Sequence, residues 1–196
     1  MRGIGLWCVL ALAPAGGLAG QWGVGVNVGI ARYFGATAPA GDSDGASVRP
    51  YRPTTLGVTV GRDWGPVRVD LAFTYGEPGL AAEAPGGAFI STEDATFKSL
   101  SPDLTVRIAR LGAGGTVRLG GGADLTLWSV TGFDDRLYAG GHVTLAYEWP
   151  VAGRLSGDLQ AGAALSPSIF QASDLPPELE RRMMVRPSIT IGLRYR

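Results

Sequence analysis

Val185-Arg186-Pro187-Ser188-Ile189-Thr190-Ile191-Gly192-Leu193-Arg194-Tyr195 changes character at every step. Val185, Pro187, Ile189, Ile191, Leu193 and Tyr195 share one side; Arg186, Ser188, Thr190, Gly192 and Arg194 share the other. A period of two belongs to a β-strand, whose successive side chains point to opposite faces. Working back through the chain, the same alternation recurs. Trp22, Val24, Val26, Val28 and Ile30 share a face over residues 21–33, as do Leu56, Val58 and Val60 over 54–62. Val67, Val69, Leu71, Phe73 and Tyr75 follow over 67–75, then Leu104, Val106 and Ile108 over 98–111. Val117, Leu119, Leu125 and Leu127 mark a fifth strand, Val143, Leu145, Tyr147 and Trp149 a sixth, and Leu155, Leu159, Ala161, Ala163 and Leu165 a seventh.

The connections alternate in length. Stretches 35–53, 76–97, 129–136 and 166–184 read as long loops, and 63–66, 112–115 and 150–153 as tight turns. Eight strands of about ten residues with this rhythm predict an all-β fold. The expectation is an eight-stranded antiparallel up-and-down transmembrane β-barrel, with short periplasmic turns and four longer outer loops. A water-soluble barrel or sandwich is the competing reading. Three features favour the membrane: an apolar face almost free of charge, a polar face of Gly, Thr, Ser, Arg and Asp, and aromatic residues at strand ends. Trp22, Trp64, Trp149 and Tyr195 fall at the periplasmic rim, and Tyr33, Phe73, Tyr75 and Phe97 at the outer one.

Composition agrees. The chain has 196 residues, 31 of them Gly, and equal numbers of basic and acidic residues, 17 each. That balance offers no basic stripe for nucleic acid. Past the N-terminus no uncharged apolar run approaches the roughly eighteen residues of a spanning helix. Residues 1–19 read as an export leader: Arg2, then the apolar run 4–13, then small residues, with cleavage after Ala19 or Gly20. Residues 20–196 are then one barrel domain. Cys8, the single cysteine, lies in the leader, so the mature chain has no thiol chemistry and calls for no cofactor or metal.

The mature chain resembles the OmpA/OmpX-type small outer-membrane barrels. Thr190-Ile191-Gly192-Leu193-Arg194-Tyr195 is similar to that family's C-terminal assembly signal, with the aromatic one place before the final Arg196. The resemblance implies a monomer in a bacterial outer membrane, inserted by the barrel-assembly machinery and surrounded by outer-membrane lipid and lipopolysaccharide.

Eight strands enclose an interior that side chains fill. By parity the inward acids are Asp63, Asp70, Asp103, Asp124, Glu148 and Asp158; the inward bases are Arg68, Arg107, Arg118, Arg154, Arg186 and Arg194. Charges enclosed together satisfy one another only as a cross-linked network, and such a network is the expectation, with His142 as a member. Most of these arginines fall in the periplasmic half, with Asp70, Asp124, Glu148 and Asp158 within reach. A narrow or gated pore is the alternative, although selectivity would call for an excess of one sign. His142-Val143-Thr144 with Glu148 resembles the His/Ser/Glu set of outer-membrane lipid A deacylases, but its hydroxyl is threonine and all three groups face inward. The expectation is therefore a non-enzymatic barrel with a structural or surface-interaction role. Residues 176–182 read as a helical turn, with Arg181 and Arg182 near lipopolysaccharide phosphates. The acidic pairs Glu93-Asp94 and Asp134-Asp135 read as solvated.

Overall fold

The chain is described by a computed structural model covering residues 20–40, 46–84, 86–91, 95–112 and 114–196. The expected leader, Cys8 and the Glu93-Asp94 pair lie outside these residues. In chain order the strands are β1 (Gln21–Ala31), β2 (Thr37–Pro39), β3 (Ser47–Tyr51), β4 (Thr54–Trp64), β5 (Val67–Gly76), β6 (Gly79–Ala84) and β7 (Gly87–Ser91). There follow β8 (Ala95–Leu111), β9 (Gly115–Val130), β10 (Arg136–Ala152), β11 (Leu155–Ser166), β12 (Leu179–Arg181) and β13 (Met184–Tyr195), with one 3₁₀ turn at Ala172–Asp174.

β1, β4, β5, β8, β9, β10, β11 and β13 pair antiparallel in chain order. β1 then pairs with β13, Val24 opposite Tyr195 through Ala31 opposite Ser188, and the sheet closes. The eight alternating segments are thus the eight staves of an up-and-down barrel. Turns at 65–66 and 153–154, and the connection from Leu111 to Gly115, join the staves at one end. Gly65 carries the first of them at φ +61°, a left-handed conformation open to glycine.

Residues 35–53, 76–97 and 166–184 contain more order than their composition announces. β2 pairs with β12, tying the first long loop to the last, and β3-β6-β7 forms a small sheet tying the first to the second. Leu179–Arg181 is accordingly a strand, where a helical turn is expected from its sequence. Its backbone lies in register with Thr37–Pro39, a pairing between loops far apart in the chain. The third connection is short, residues 131–135, because β9 and β10 run on past the expected strand ends.

The distribution of apolar groups is inverted relative to a water-soluble domain. Val24, Val26, Val28, Leu56, Val69, Leu104, Leu119, Leu145, Leu159, Ile189 and Leu193 are all exposed, and every stave contributes to this outer band. The buried apolar cluster sits only at the long-loop end, inside the barrel mouth: Tyr33, Phe97, Trp128, Val130, Ile169, Phe170 and Met184, with Ala36 and Ala95. Tyr33 is 1% exposed and Phe97 0%, so neither is an outward rim residue as their strand-end positions predict. Parity explains both: Phe97 is in phase with inward Ser99 and Ser101, and Tyr33 with Ala31.

One crowded point holds two staves in place. Pro102 lies within β8, and Gly122 of β9 is so near that an added Cβ would sit 1.9 Å from the Pro102 carbonyl oxygen. Gly122→Ala is expected to lower the stability of the refolded protein by about 1–3 kcal/mol, as overpacking does. Gly86→Ala, which meets nothing within 4 Å, is expected to change it by less than about 0.5 kcal/mol. Urea-driven unfolding from lipid vesicles measures both.

Candidate functional site

The densest set of interacting charged and polar side chains lies in the barrel interior, where it stacks in three layers. The first lies toward the short turns. Arg68 on β5 donates through Nε to Asp63 Oδ1 at 2.8 Å, and its Nη1 and Nη2 engage the two oxygens of Glu148 on β10, the second at 3.0 Å. Arg118 on β9 donates to Glu148 Oε2 at 3.3 Å, to Asp63 Oδ1 at 3.1 Å and to the Pro66 carbonyl at 3.3 Å. Arg196 donates to Glu148 Oε2 at 2.7 Å and lies 3.5 Å from Asp63 Oδ2. Arg194 on β13 lies 2.9 Å from Asp70 Oδ1.

Arg68 and Asp63 face each other on adjacent β5 and β4, and Arg118 and Glu148 lie on adjacent β9 and β10, but three other pairs reach past neighbouring staves. β8 and β9 separate Arg68 from Glu148, β5 and β8 separate Arg118 from Asp63, and β1 and β4 separate Arg194 from Asp70. Each of these three is a strut across the lumen. Direct cross-strand neighbours often carry like charge instead: Asp70 faces Asp103, Glu148 faces Asp158, and Arg107 faces Arg118. Like charges directly opposite destabilise a sheet, so the struts also neutralise what the ladders bring together.

The second layer is acidic and lies mid-barrel. His142 Nδ1 is 3.0 Å from Asp124 Oδ1, and its Nε2 is 3.7 Å from Asp103 Oδ2. Ser101 donates to Asp124; Ser99 lies 3.3 Å from Ser101 and 3.1 Å from Thr126. Asp158, opposite Glu148 and so level with the first layer, accepts from Gln160 at 3.0 Å and has no arginine within 4.0 Å among the described residues. A cavity of about 140 Å³ opens among these groups, with Thr144 in its wall. The third layer is the aromatic cluster at the long-loop mouth. Trp128 packs against Tyr33 and Phe97 with ring centroids 5.6 and 5.2 Å apart, and the Arg186 guanidinium lies 5.3 Å over Phe97.

Several expected positions are corrected by this layering. Asp124 belongs with His142 and not with the arginines, because Gly140 opposite it on β10 places it well above Glu148. Arg154 is exposed in the turn at 153–154 and not on an inward strand site, since β11 begins only at Leu155. Arg107 and Arg186 have no carboxylate within 4.0 Å among the described residues. His142 and Glu148 have separate partners, so the His/Thr/Glu set does not assemble. Arg196 escaped sequence reading although its parity, two places after inward Arg194, marked it.

On the outside, Trp22 and Tyr195 are exposed and Trp64 and Trp149 half-buried at the short-turn end. Arg62 lies over both Trp22 and Trp64, 5.7 and 5.3 Å from their rings. Asp134 and Asp135 are exposed, and no group of three or more metal-ligating side chains occurs among the described residues.

No protein-family model matches the chain, and no curated protein is detectably similar to it. Solved structures are. Neisserial surface protein A superposes with a TM-score of 0.56 at 15% identity, over 89% of this chain and 96% of that one. The fold is that of the small outer-membrane barrels. The N-terminal barrel of Pseudomonas aeruginosa OprF gives a TM-score of 0.44 at 12% identity over 90% and 99% of the two chains. The attachment invasion locus protein Ail of Yersinia pestis gives 0.39 at 10% over 89% and 99%.

Glu148 is the hinge of the first layer, so Glu148→Ala leaves Arg68 and Arg118 buried with a partner gone. Such a loss costs about 3–5 kcal/mol. Arg182→Ala, in an exposed pair with Glu180, costs under about 1 kcal/mol. The same vesicle unfolding assay separates the two. In the fourth long loop, hydrogen bonding from Arg136 holds the Asp174 carboxyl down at about 2. Because that lies below the ~3.9 of a free aspartate, the pair stabilises the loop fully above that value and loses its contribution as pH falls toward 2. A carboxyl NMR titration of Asp174 is expected to show its midpoint near 2, not near 4.

Proposed function

We propose that this chain is a bacterial outer-membrane barrel with a structural and surface-interaction role, exported by a leader at residues 1–19. The observation that carries the reading is the continuous exposed band of Val, Leu and Ile around a closed sheet. Contiguous exposed apolar area on soluble monomers rarely exceeds a few hundred Å², and a closed barrel is one of two backbone arrangements that satisfy every peptide group in hydrocarbon. Arg62 between Trp22 and Trp64 sits where amphipathic rings prefer the lipid interface.

The short turns then face the periplasm together with both ends of the barrel, and the long loops face outward. Those loops are held to one another by β2-β12 and β3-β6-β7, a firm platform for contact with other surfaces. Lipopolysaccharide surrounds it, with Arg181 and Arg182 exposed at the platform edge. The chain acts as a monomer, after insertion by the barrel-assembly machinery. A conducting role is disfavoured by the aromatic cluster filling the outer mouth and by the struts crossing the inner one.

The folded protein is expected to fractionate with outer membranes and to migrate differently on gels before and after boiling. A leader-free chain that stays soluble and monodisperse without detergent overturns the reading. In planar bilayers the expected record is a closed baseline, and steady discrete conductance steps would assign the pore role instead.

A further inference from the structure

The matched charges of the lumen are not evenly matched in space. Toward the short turns, Arg68, Arg118 and Arg196 all converge on Glu148 and Asp63. Arg194 takes Asp70. Arg107 and Arg154 are left over, with no carboxylate within 4.0 Å of either among the described residues. Both line a vestibule of about 290 Å³ that opens at this mouth, together with Arg118, Arg196, Thr116 and Glu148, the last a carboxylate already held by Arg68, Arg118 and Arg196.

The β8-β9 ladder makes the surplus acute. It sets Arg107 directly opposite Arg118, and both side chains face inward. Like charges so placed repel, and Arg118 already spends its donors on Asp63, Glu148 and the Pro66 carbonyl. An anion in the vestibule relieves that repulsion and occupies the two free guanidinium forks. The vestibule holds on the order of ten water volumes, room for a small anion and some hydration.

We propose that the short-turn mouth is a binding site for a phosphate group, with Arg107 and Arg154 as its ligands and Arg196 and Thr116 closing the vestibule. Two surplus guanidinium charges match the charge of about −1.5 to −2 on a phosphate monoester near neutral pH. The planar fork of arginine fits phosphate oxygens in bidentate fashion. A soluble phosphate and the headgroup of a phospholipid in the adjoining leaflet share this chemistry. The site depends on the closed barrel geometry and stands apart from the proposed surface role.

The test titrates inorganic phosphate into the folded, full barrel in uncharged detergent by calorimetry, at constant ionic strength and against chloride. Saturable binding is expected, at least about tenfold weaker in the double variant R107Q/R154Q, since both charge-assisted forks are removed. R52Q, an exposed arginine just before β4 at the opposite end, is expected to bind as the parent does. Unboiled gel mobility checks that each variant is folded; if the double variant does not fold, R154Q alone, exposed in its turn, carries the comparison. Absence of saturable binding by the parent, or equal affinity in the arginine variant, overturns the proposal. Repeating the titration in phosphatidylcholine nanodiscs with and without phosphatidylglycerol distinguishes the sources. Loss of phosphate binding only when phosphatidylglycerol is present identifies a headgroup occupant, and equal binding in both identifies a soluble one.

Discussion

The register that sets Val24 opposite Tyr195 and Ala31 opposite Ser188 joins the first stave to the last, and from that closure the rest of the architecture follows. A closed sheet has no edge, so every stave finds backbone partners on both sides without help from solvent. Its two faces then have unequal fates. The outer face is large and convex and takes the Val, Leu and Ile of every stave. The inner face is small and concave and receives glycine, hydroxyl groups and charge. Glycine is plentiful on the inner face because bulky side chains crowd there: at Gly61 an added Cβ would meet Asp70 and the Val69 carbonyl.

Enclosed charge demands partners, and the geometry of a narrow cylinder supplies them across the axis. Arg68 to Glu148, Arg118 to Asp63 and Arg194 to Asp70 each bridge two intervening staves. Struts of this kind resist flattening of the barrel in a way that ladder neighbours cannot. They also sort the lumen into layers. Arginine dominates the short-turn end, carboxylates and His142 the middle, and aromatic rings the long-loop mouth. A net-neutral interior is therefore an axially polarised one, and polarisation leaves two arginines free where the vestibule opens.

The long loops complete the barrel and do not merely hang from it. Tyr33, Phe97 and Trp128 project inward from β1's extension, β8 and β9, while Ile169 and Phe170 descend from the fourth long loop to meet them. Arg136 and Asp174 pin that loop above the cluster, and β12 ties it to β2. Burial of these rings closes one mouth and orders the loops at the same time. The surface offered to the outside is consequently a set of short paired strands.

Strand number, the lipid-facing set and the long-short rhythm of connections are all legible in the chain. Each rests on local alternation, and alternation survives any tertiary arrangement that keeps one face apolar. Parity even marked Tyr33, Phe97 and Arg196 as inward, although strand-end position pointed the first two outward and Arg196 was read only as following the terminal aromatic. The partners of the charged groups were not legible. Twelve inward charges allow many pairings, and which ones form depends on barrel diameter, stagger and axial height, quantities set by closure of the whole sheet. The loop strands were hidden for a similar reason: Leu179–Arg181 and Thr37–Pro39 lie at opposite ends of the chain, and only the closed barrel brings their backbones within hydrogen-bonding distance.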